Sequence, residues 1–473
     1  MQITEAQVRA IVEEVLREIS ASRGPSPAVP TGMGRDGVFD TVDEAVDAAE
    51  EAQRRLVELT LEKRREIIEA LRKVGVEYAE DFSQRTWEET GMGKVRDKIT
   101  KHLLAARLTP GIEDLGTQAW SGDHGLTTVE MAPYGVIAAV LPSTHPVPTM
   151  LNNAISIIAA GNSVVFAPHP GAKNVSLYAL QKFHEAIVSA GGPLGLVTTV
   201  AEPSIENAQK LFSHPKVALL LVTGGPGVVR AAMNSGKKVI AAGPGNPPVV
   251  VDETADIPKA AKDIVDGATF DNNILCIAEK EVFVVEKVAD RLKEEMIKNG
   301  SYEITKEQAD ALAEVAFEKG PDGHLRVNRK LVGRDAPVLA QAIGLSVDPG
   351  VRLLIAETPF EHPFVQEEQM MPFLPIVRTH DVDEAIDLAI KAEHGYYHTA
   401  IMHSRNIANL SKMAKLVNTV IFVKNGPSYA GLGVGGEGYI SFSIAGPTGE
   451  GVTSARTFTR QRRCVLVDYF RIV

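Results

Sequence analysis

Hydrophobic residues at the start of the chain recur at helical spacing. In MQITEAQVRAIVEEVLREIS, residues 1–20, the apolar side chains fall within an arc of roughly 140° at 100° per residue; they are Val8, Ile11, Val12, Val15, Leu16 and Ile19. Thr4 and Gln7 form a capping-box pattern. Residues 21–37 are rich in Ser, Gly and Pro and lack periodicity, which is typical of a flexible linker. The pattern therefore predicts an amphipathic helix attached to the main body by a linker.

The remaining chain divides into a helical stretch and two alternating blocks. Helical spacing runs from Val38 to about residue 114, beginning with a second capping box at Thr41 and Glu44. Short apolar runs then alternate with helical segments; the runs are residues 135–142, 162–168, 196–200, 217–224 and 237–243. Runs without polar alternation indicate parallel strands covered on both faces. A second such block spans about residues 244–440. The sequence predicts an α/β protein with two lobes and a cleft between them.

Composition and charge restrict the class of protein. The 473 residues exceed the usual size of one hydrophobic core. Lys and Arg number 49 against 60 Asp and Glu, and the net charge of -11 argues against nucleic-acid binding. No apolar run reaches the roughly 20 residues that span a bilayer, and the N-terminus does not resemble a secretory signal. Two cysteines predict no disulfide framework and a reducing cytosol.

Cys276 lies in FDNNILCIAEKE, between an Asn-rich segment and a charged segment. Local sequence alone favours a buried small hydrophobe, whereas the alternative is a nucleophile, because a thiolate is strongly nucleophilic. The other cysteine, Cys464, lies within the predicted C-terminal strand RRCVLVDYF and is interpreted as a small buried hydrophobic residue.

Other motifs are weaker signals. VALLLVTGGPGVVRAAMNSG predicts a strand, a glycine turn and a helix, which suits a nucleotide phosphate or a purely structural turn, and it does not match GxGxxG. AAGPGNPPVVVD, residues 241–252, could line a cleft or break a strand. His394 and His398 are four residues apart without HExxH or a Cys pair, so we predict no metal site and a structural or acid–base role.

Taken in order, six blocks carry a family resemblance. They are VLPSTHPVPTMLNNAISIIAAGNSVVFAPHPGAK, LLLVTGGPGVVRAA, AAGPGNPP, FDNNILCIAEKEV, HPFVQEEQMMPFLPIVR and SARTFTRQRRCVLV. The chain resembles the aldehyde dehydrogenase superfamily and, within it, the CoA-acylating propionaldehyde and acetaldehyde dehydrogenases of bacterial microcompartments. The resemblance implies a Rossmann-like NAD- and CoA-binding domain (38–114 and 134–243), an α/β catalytic domain (244–440) and a small β oligomerisation element (115–133 and 441–473). It also implies a homodimer or homotetramer.

The resemblance makes Cys276 the nucleophile. Its thiolate would attack the aldehyde to give a thiohemiacetal, and loss of hydride to NAD+ would leave a thioester on the enzyme. The expected substrate is a short aliphatic aldehyde, most simply propionaldehyde, with acetaldehyde as the alternative.

Two departures from the hydrolytic branch of the superfamily indicate what takes the acyl group. Ala242 stands where that branch has the glutamate of ELGGK, so water attack would lose a general-base contribution of roughly 10²- to 10⁴-fold. Transfer to the CoA thiol is therefore expected. Ala167 replaces the lysine of KPSE, and with Pro168 and His169 it implies an altered surface that serves NAD and CoA in turn.

The resemblance also assigns the other site residues. The N–H of Cys276 is one oxyanion donor, and Thr144 stands at the place of the asparagine in PWNFP. His145 is a second candidate donor or only a structural substitution. His398 is a candidate for handling the CoA thiol proton, and a hydrogen-bonded structural histidine is the alternative. The cofactor-binding residues would be those of the glycine turns and of EEQMMP: Thr223, Gly224, Gly225, Gly243 and Glu368.

Residues 1–20 resemble the encapsulation peptides that dock enzymes onto microcompartment shell proteins, which implies a cytoplasmic location in the microcompartment lumen. Two Arg and four Glu make this segment acidic, which disfavours binding to anionic lipid. Two other functions stay open at this point. They are a hydrolytic aldehyde dehydrogenase and a weakly active cargo protein whose main role is shell binding.

Overall fold

The computed structural model describes residues 36–320 and 325–473. The predicted helix at 1–20 and most of the predicted linker lie outside these residues. Within the described part of the chain, no helix has the length and apolarity needed to cross a bilayer.

The elements are numbered here in chain order. The helices are α1 (Val42–Glu58), α2 (Leu61–Glu77), α3 (Ala79–Thr90), α4 (Val95–Leu108), α5 (Pro146–Ala159), α6 (Lys173–Ser189), α7 (Ile205–Ser213), α8 (Pro226–Met233), α9 (Ile257–Thr269), α10 (Glu286–Lys298), α11 (Lys306–Ala316), α12 (Ala336–Ala342), α13 (Pro363–Gln366), α14 (Val382–Ala392) and α15 (Ile407–Leu416). The strands are β1 (Val38–Phe39), β2 (Gln118–Gly122), β3 (Gly125–Pro133), β4 (Val136–Val140), β5 (Ser163–Ala167), β6 (Val197–Val200), β7 (Val217–Thr223), β8 (Lys238–Ala242), β9 (Pro248–Val251), β10 (Glu281–Val285), β11 (Ser301–Glu303), β12 (Phe317–Lys319), β13 (Leu325–Val327), β14 (Leu353–Glu357), β15 (Phe373–Thr379), β16 (Thr399–His403), β17 (Ile421–Lys424), β18 (Ile444–Ala445), β19 (Gly451–Val452) and β20 (Thr459–Val467).

The described residues form two compact units. The first unit contains residues 36–90, Ile99–Ala242 and Tyr439–Val473, and the second contains Gly91–Lys98 and Gly243–Gly438. The sequence analysis placed Gly91–Lys98 with residues 38–114. The backbone explains the difference, because the N–H of Gly93 donates to the Gly333 carbonyl at 2.8 Å and the N–H of Lys94 donates to Asp271 Oδ1 at 2.7 Å.

The first unit has a six-stranded parallel sheet in the order β1-β6-β5-β4-β7-β8. Each of the five apolar runs predicted between residues 135 and 243 contains one of these strands. Their side chains are almost entirely buried, as expected for a sheet covered on both faces. The strand order reverses between β4 and β7, and the crevice at such a reversal, outside the carboxyl ends of the strands, is where open α/β sheets bind ligands.

Two local predictions concern the same unit. The capping box is confirmed, since the N–H of Thr41 donates to Glu44 Oε2 at 3.1 Å and the N–H of Glu44 donates to Thr41 Oγ1 at 3.3 Å.

The interpretation of Cys464 as buried is wrong for this chain. Cys464 does lie on a strand, β20, but this strand is the edge of a three-stranded antiparallel sheet with β2 and β3, and its side chains from Gln461 onward are exposed.

The second unit has a seven-stranded parallel sheet in the order β11-β14-β15-β10-β9-β16-β17. The sequence analysis did not identify β9, which it treated only as part of a proline-rich turn. This strand has only four residues and begins at Pro248, yet it lies between β10 and β16 with all four side chains buried. Its brevity and its flanking prolines hid a strand inside a segment that also forms a loop.

Candidate active site

Four loops meet at one edge of the second sheet. Gly245 lies just before β9, Cys276 before β10, Glu368 before β15 and His398 before β16. These strands are neighbours and parallel, in the order β15-β10-β9-β16, so their amino ends share one edge. The topology thus gathers three residues predicted for the site with one glycine that was not singled out.

Gly245 is the point of contact among these loops. A Cβ at this position would lie 2.6 Å from the carbonyl oxygen of Cys276 and 2.9 Å from Cγ of His398. Real Cβ atoms are not found so close to backbone, and only glycine fits. The N–H of Gly245 donates to Oε1 of Glu368 at 3.4 Å. Gly245 therefore permits the close approach of the Cys276 and His398 loops and contacts the third.

Three successive residues in left-handed conformation precede the Cys276 loop. Asp271, Asn272 and Asn273 have φ angles of 49°, 55° and 66°. Asp and Asn adopt this region more readily than other residues with a Cβ, but normally as single residues. Such conformations persist only where the surrounding contacts hold them, and they concentrate at functional sites.

Each side chain of this left-handed segment is held by hydrogen bonds. Asp271 accepts from the N–H of Lys94 and, at 3.1 Å, from Nζ of Lys98. Asn272 donates to the Gly333 carbonyl at 2.9 Å. Asn273 donates to the carbonyls of Ala268, at 3.0 Å, and Glu279, at 2.9 Å. The bonds to Asn273 tie together the chain on both sides of Cys276.

Cys276 is partly exposed, so the expectation of a fully buried cysteine from local sequence is wrong. Burial of its surroundings, followed by the charge of Glu368, raises the pKa of the Cys276 thiol to about 12, whereas Lys280 and the N–H groups of Cys276 and Ile277 lower it. The resting site thus holds a thiol at neutral pH. Formation of the nucleophilic thiolate has to be favoured by the few groups that act against burial.

His398 is buried, with one ring nitrogen paired and the other unpaired within the described part of the chain. Its Nδ1 lies 2.9 Å from Oγ1 of Thr399, and Nε2 has no hydrogen-bond partner among the described residues. Burial, followed by the charge of Lys280, lowers the pKa of His398 to about 4. The imidazole is therefore neutral at neutral pH, and its Nε2 can exchange a proton with a bound group.

The loop that carries His398 is organised by Glu393. The N–H of His398 donates to Oε1 of Glu393 at 2.9 Å, and the N–H groups of Gly395, Tyr396 and Tyr397 also stabilise its charged form. Burial raises the pKa of Glu393 to about 7 despite these donors. His394, the other histidine of HGYYH, is exposed and adopts a φ of 58°, so the two histidines have different surroundings.

The remaining predicted site residues, except Gly243, lie in the first unit, at or just after the carboxyl ends of its parallel strands. Thr144 and His145 follow β4, and Oγ1 of Thr144 lies 3.0 Å from Nδ1 of His145. His145 is buried beside Phe442 and is the N-cap residue of α5, whereas Thr144 is partly exposed. Of the two candidate donors, Thr144 is the more accessible.

The glycine turn after β7 also opens at this position. Thr223 is buried and bonded to Ser443 Oγ at 2.7 Å, and Gly225 is the exposed N-cap residue of α8 without a side-chain cap. The space where a Cβ of Gly225 or Gly227 would lie is empty. A helix start with exposed N–H groups and no side chains in the way fits a dinucleotide phosphate.

Comparisons with known proteins agree with this architecture. The chain matches the sequence profile of the Aldehyde dehydrogenase family over residues 22–438. The chain belongs to the aldehyde dehydrogenase family. It is 52% identical to an acetaldehyde dehydrogenase (acetylating) of Salmonella typhimurium over the full length of both chains. It is 47% identical to a propanal dehydrogenase (CoA-propanoylating) of the same organism over 99% of both.

Solved structures similar to the chain include two propionaldehyde dehydrogenases. A propionaldehyde dehydrogenase from the Clostridium phytofermentans fucose utilisation bacterial microcompartment has a TM-score of 0.90 and 49% identity, and the match covers 92% of this chain and 100% of that one. A Rhodopseudomonas palustris propionaldehyde dehydrogenase with bound CoA and an acylated cysteine has a TM-score of 0.89 and 51% identity, with coverage of 92% and 98%. The aldehyde dehydrogenase fold expected from the sequence is confirmed.

The positions that we interpret as departures from the hydrolytic branch lie at strand ends of the first unit. Ala242 is the last residue of β8 and is buried, and its methyl group cannot accept a proton. Gly243, the next residue, begins the second unit. Ala167 ends β5, and Pro168 and His169 follow it. Nδ1 of His169 accepts the N–H of Gly171 at 3.0 Å, which begins a short 3₁₀ turn.

Sequence reasoning missed four residues that shape the site: Gly245, Asn273, Lys280 and Glu393. The Asn-rich segment before Cys276 was a usable signal for left-handed backbone. The charged segment after it was noticed, but nothing local marked Lys280 as buried. The roles of Gly245 and Glu393 depend on contacts between segments far apart in the chain.

Proposed function

We propose that this aldehyde dehydrogenase oxidises a short aliphatic aldehyde and transfers the acyl group to CoA, with NAD+ as oxidant. The observation that carries the proposal is the pairing of Cys276 and His398 around Gly245, in a chain with alanine where the hydrolytic branch has its general base. The names of the relatives support the same reaction, because they include acetylating and CoA-propanoylating enzymes and a structure with CoA bound.

Cys276 attacks the carbonyl carbon of the aldehyde and forms a C–S bond. The N–H of Cys276 would be one donor to the oxyanion of the resulting thiohemiacetal, and the family resemblance implies Thr144 as a second. Bound NAD+ supplies the hydride acceptor and bound CoA supplies the acyl-accepting thiol. Collapse of the oxyanion re-forms the C=O bond, releases the former aldehyde hydrogen as hydride, and leaves a thioester on Cys276.

Two sets of residues suit the cofactors. Thr223, Gly224 and Gly225 would hold the NAD pyrophosphate. Glu368 is a partly exposed residue, and its carboxylate would accept from the hydroxyl groups of the nicotinamide ribose. Ala167, Pro168 and His169 would form part of the surface shared by NAD and CoA.

His398 would take the proton from the CoA thiol through Nε2. This nitrogen is unoccupied by any described residue, and the imidazole is neutral, so it is ready to accept a proton. The carboxylate that activates water in the hydrolytic branch is absent at Ala242, so water loses its dedicated base. Because general-base help contributes roughly 10²- to 10⁴-fold, the thiol wins the competition for the acyl group.

The requirement for CoA is directly measurable. With propionaldehyde and NAD+, we expect steady NADH formation with CoA and at most a single turnover without it, because the thioester then has no acceptor. The assay follows NADH and identifies the product as propionyl-CoA or propionate. Equal steady rates with and without CoA, with free propionate as product, would refute acyl transfer and support a hydrolytic enzyme.

The preferred chain length is proposed as propionaldehyde, with acetaldehyde also accepted. Relatives of both names are about equally similar to this chain. One methylene group changes binding by only roughly 1 to 3 kcal/mol, so overlapping activity is expected. Values of kcat/KM for acetaldehyde, propionaldehyde and longer homologues, each with CoA, determine the order.

We further propose that the enzyme is microcompartment cargo and that residues 1–20 bind a shell protein. Support comes from the amphipathic pattern of this segment and from the microcompartment origin of one solved relative. Removing residues 1–20 should leave kcat and KM unchanged and abolish co-sedimentation with assembled shell. Negligible activity in both forms would instead favour a scaffold protein, and unchanged co-sedimentation would place the shell contact elsewhere.

A further inference from the structure

Lys280 is a lysine buried beneath the nucleophile loop. It follows Cys276 by four residues, precedes β10, and its side chain is 0% exposed. Lysine is almost never fully buried unless its ammonium group is paired or hydrogen-bonded. The local structure must therefore stabilise it.

The ammonium group has three acceptors, all in the segment that leads to Cys276. Nζ donates to the carbonyl of Asn273 at 3.0 Å, to Oδ1 of the same residue, and to the carbonyl of Leu275 at 3.3 Å. An ammonium has three N–H donors, whereas a neutral amine has two and one lone pair. Burial lowers the pKa of Lys280, whereas the negative charges around it, Glu368 first, raise it. The three acceptors match the charged form, and they fix the backbone on the amino side of Cys276.

Ionisable groups face Lys280 from three neighbouring segments. Glu279 and Glu281 flank it in the chain, Glu368 lies on the loop before β15, and His398 lies on the loop before β16. Glu281 does not neutralise Lys280, because burial raises the pKa of this carboxyl group well above its ordinary value and neither oxygen has a hydrogen-bond partner among the described residues. Burial raises the pKa of Glu279 to about 7, while Ser428 holds its carboxylate through N–H and Oγ.

The positive charge at Lys280 shifts the pKa of three neighbouring groups in the same direction. It lowers the pKa of Cys276, of Glu368 and of His398. Hence it favours a thiolate at Cys276, an ionised Glu368 and a neutral imidazole at His398, which are the protonation states needed for attack on the aldehyde and for accepting a proton from a thiol.

We propose that Lys280 is a positioning residue that holds the nucleophile loop and, through its buried positive charge, favours the thiolate of Cys276. This inference rests on the proposed role of Cys276 as nucleophile. It adds a second source of thiolate stabilisation to the N–H groups of Cys276 and Ile277.

The test compares Lys280→Met with Lys280→Gln. Both variants lack the charge, but glutamine keeps N–H donors for the loop carbonyls. The readout is the rate of alkylation of Cys276 by iodoacetamide across pH, followed by mass spectrometry, with exposed Cys464 as the internal control in the same chain. Below the thiol pKa the rate follows the thiolate fraction. A loss of one neighbouring opposite charge raises that pKa by about one to three units, so both variants should react about 10- to 1000-fold more slowly.

The paired variants separate charge from loop position. Lys280→Gln loses the charge and keeps N–H donors, so slow alkylation of Cys276 in this variant, with wild-type alkylation of Cys464, reports the charge. A wild-type rate in Lys280→Gln at every pH would overturn the charge role, even if Lys280→Met reacts slowly because its loop has shifted. Should the methionine variant not fold, the glutamine variant decides alone. The measurement needs no aldehyde, NAD+ or CoA, so its outcome is separate from that of the acyl-transfer assay.

Discussion

The Cys276→Ala variant is expected to oxidise no aldehyde at a measurable rate, with or without CoA, while NAD+ still binds. Removal of a covalent nucleophile lowers turnover by at least about 10⁴-fold, because both the thiohemiacetal and the thioester require its sulfur. Alanine fills a similar partly exposed position without new polar groups, so folding should be unaffected. The measurements are NADH formation in the presence of propionaldehyde and NAD+ titration by protein fluorescence.

The chain supplies a matched control for this experiment. Cys464 is the only other cysteine and lies exposed on β20 in the first unit. Cys464→Ala should retain wild-type kcat and KM. Turnover that survives in Cys276→Ala and disappears in Cys464→Ala would reverse the assignment, and survival in both would remove cysteine chemistry from the mechanism.

Asn273→Ala should have the second large effect, on both stability and reactivity. Its φ of 66° is left-handed, and alanine there costs about 1 to 2 kcal/mol. The substitution also leaves the carbonyls of Ala268 and Glu279 without this donor and removes one acceptor from Lys280. A buried polar group that loses its partner costs about 1 to 3 kcal/mol, so the free energy of unfolding should fall by about 3 to 5 kcal/mol. Urea unfolding measures this loss, and alkylation of Cys276 should slow because its loop is no longer fixed.

Asn425→Ala is the control that separates a loss of stability from a loss of Cys276 reactivity. Asn425 is also left-handed, with a φ of 57°, and bonds Ser404 through both side-chain ends at 2.9 Å. It follows β17, at the carboxyl edge of the same sheet, whereas the Cys276 loop lies at the amino edge. This variant should lose some stability and keep wild-type alkylation of Cys276. Equal loss of reactivity in both variants would mean that the left-handed segment has no specific role at the nucleophile.

The sequence predicted five strands of the first unit because parallel strands covered on both faces leave uninterrupted apolar runs. Pro248–Val251 left no such run of useful length, and its central position became visible only through its pairing with β10 and β16. The capping box at Thr41 and Glu44 was predictable because both bonds lie within one turn of helix. Elements set by local chemistry or by long apolar runs could be predicted from the sequence, whereas a short central strand could not.

The site was harder to predict from the sequence, because it depends on contacts between segments that are far apart in the chain. Local sequence favoured an inert Cys276, and only the ordered set of family blocks reversed that interpretation. Gly245 is needed because the loops of Cys276 and His398 meet there, a contact between segments that no local pattern relates. Lys280 looked like part of a solvated charged segment, since the acceptors that hold its ammonium group become apparent only when the loop is folded. The assignments of the oligomerisation element and of the cofactor residues stay predictions.

The arrangement of the site on four loops before four neighbouring strands has a consequence for how such enzymes diversify. The strands pair with one another through backbone hydrogen bonds, whereas the chemistry belongs to the connections that precede four of them. A connection can be exchanged between homologues without changing the register of the sheet. Chimeras with crossover points inside β9, β10, β15 or β16 should therefore fold as readily as their parents, and each would carry a site of mixed ancestry in which aldehyde preference can change one loop at a time.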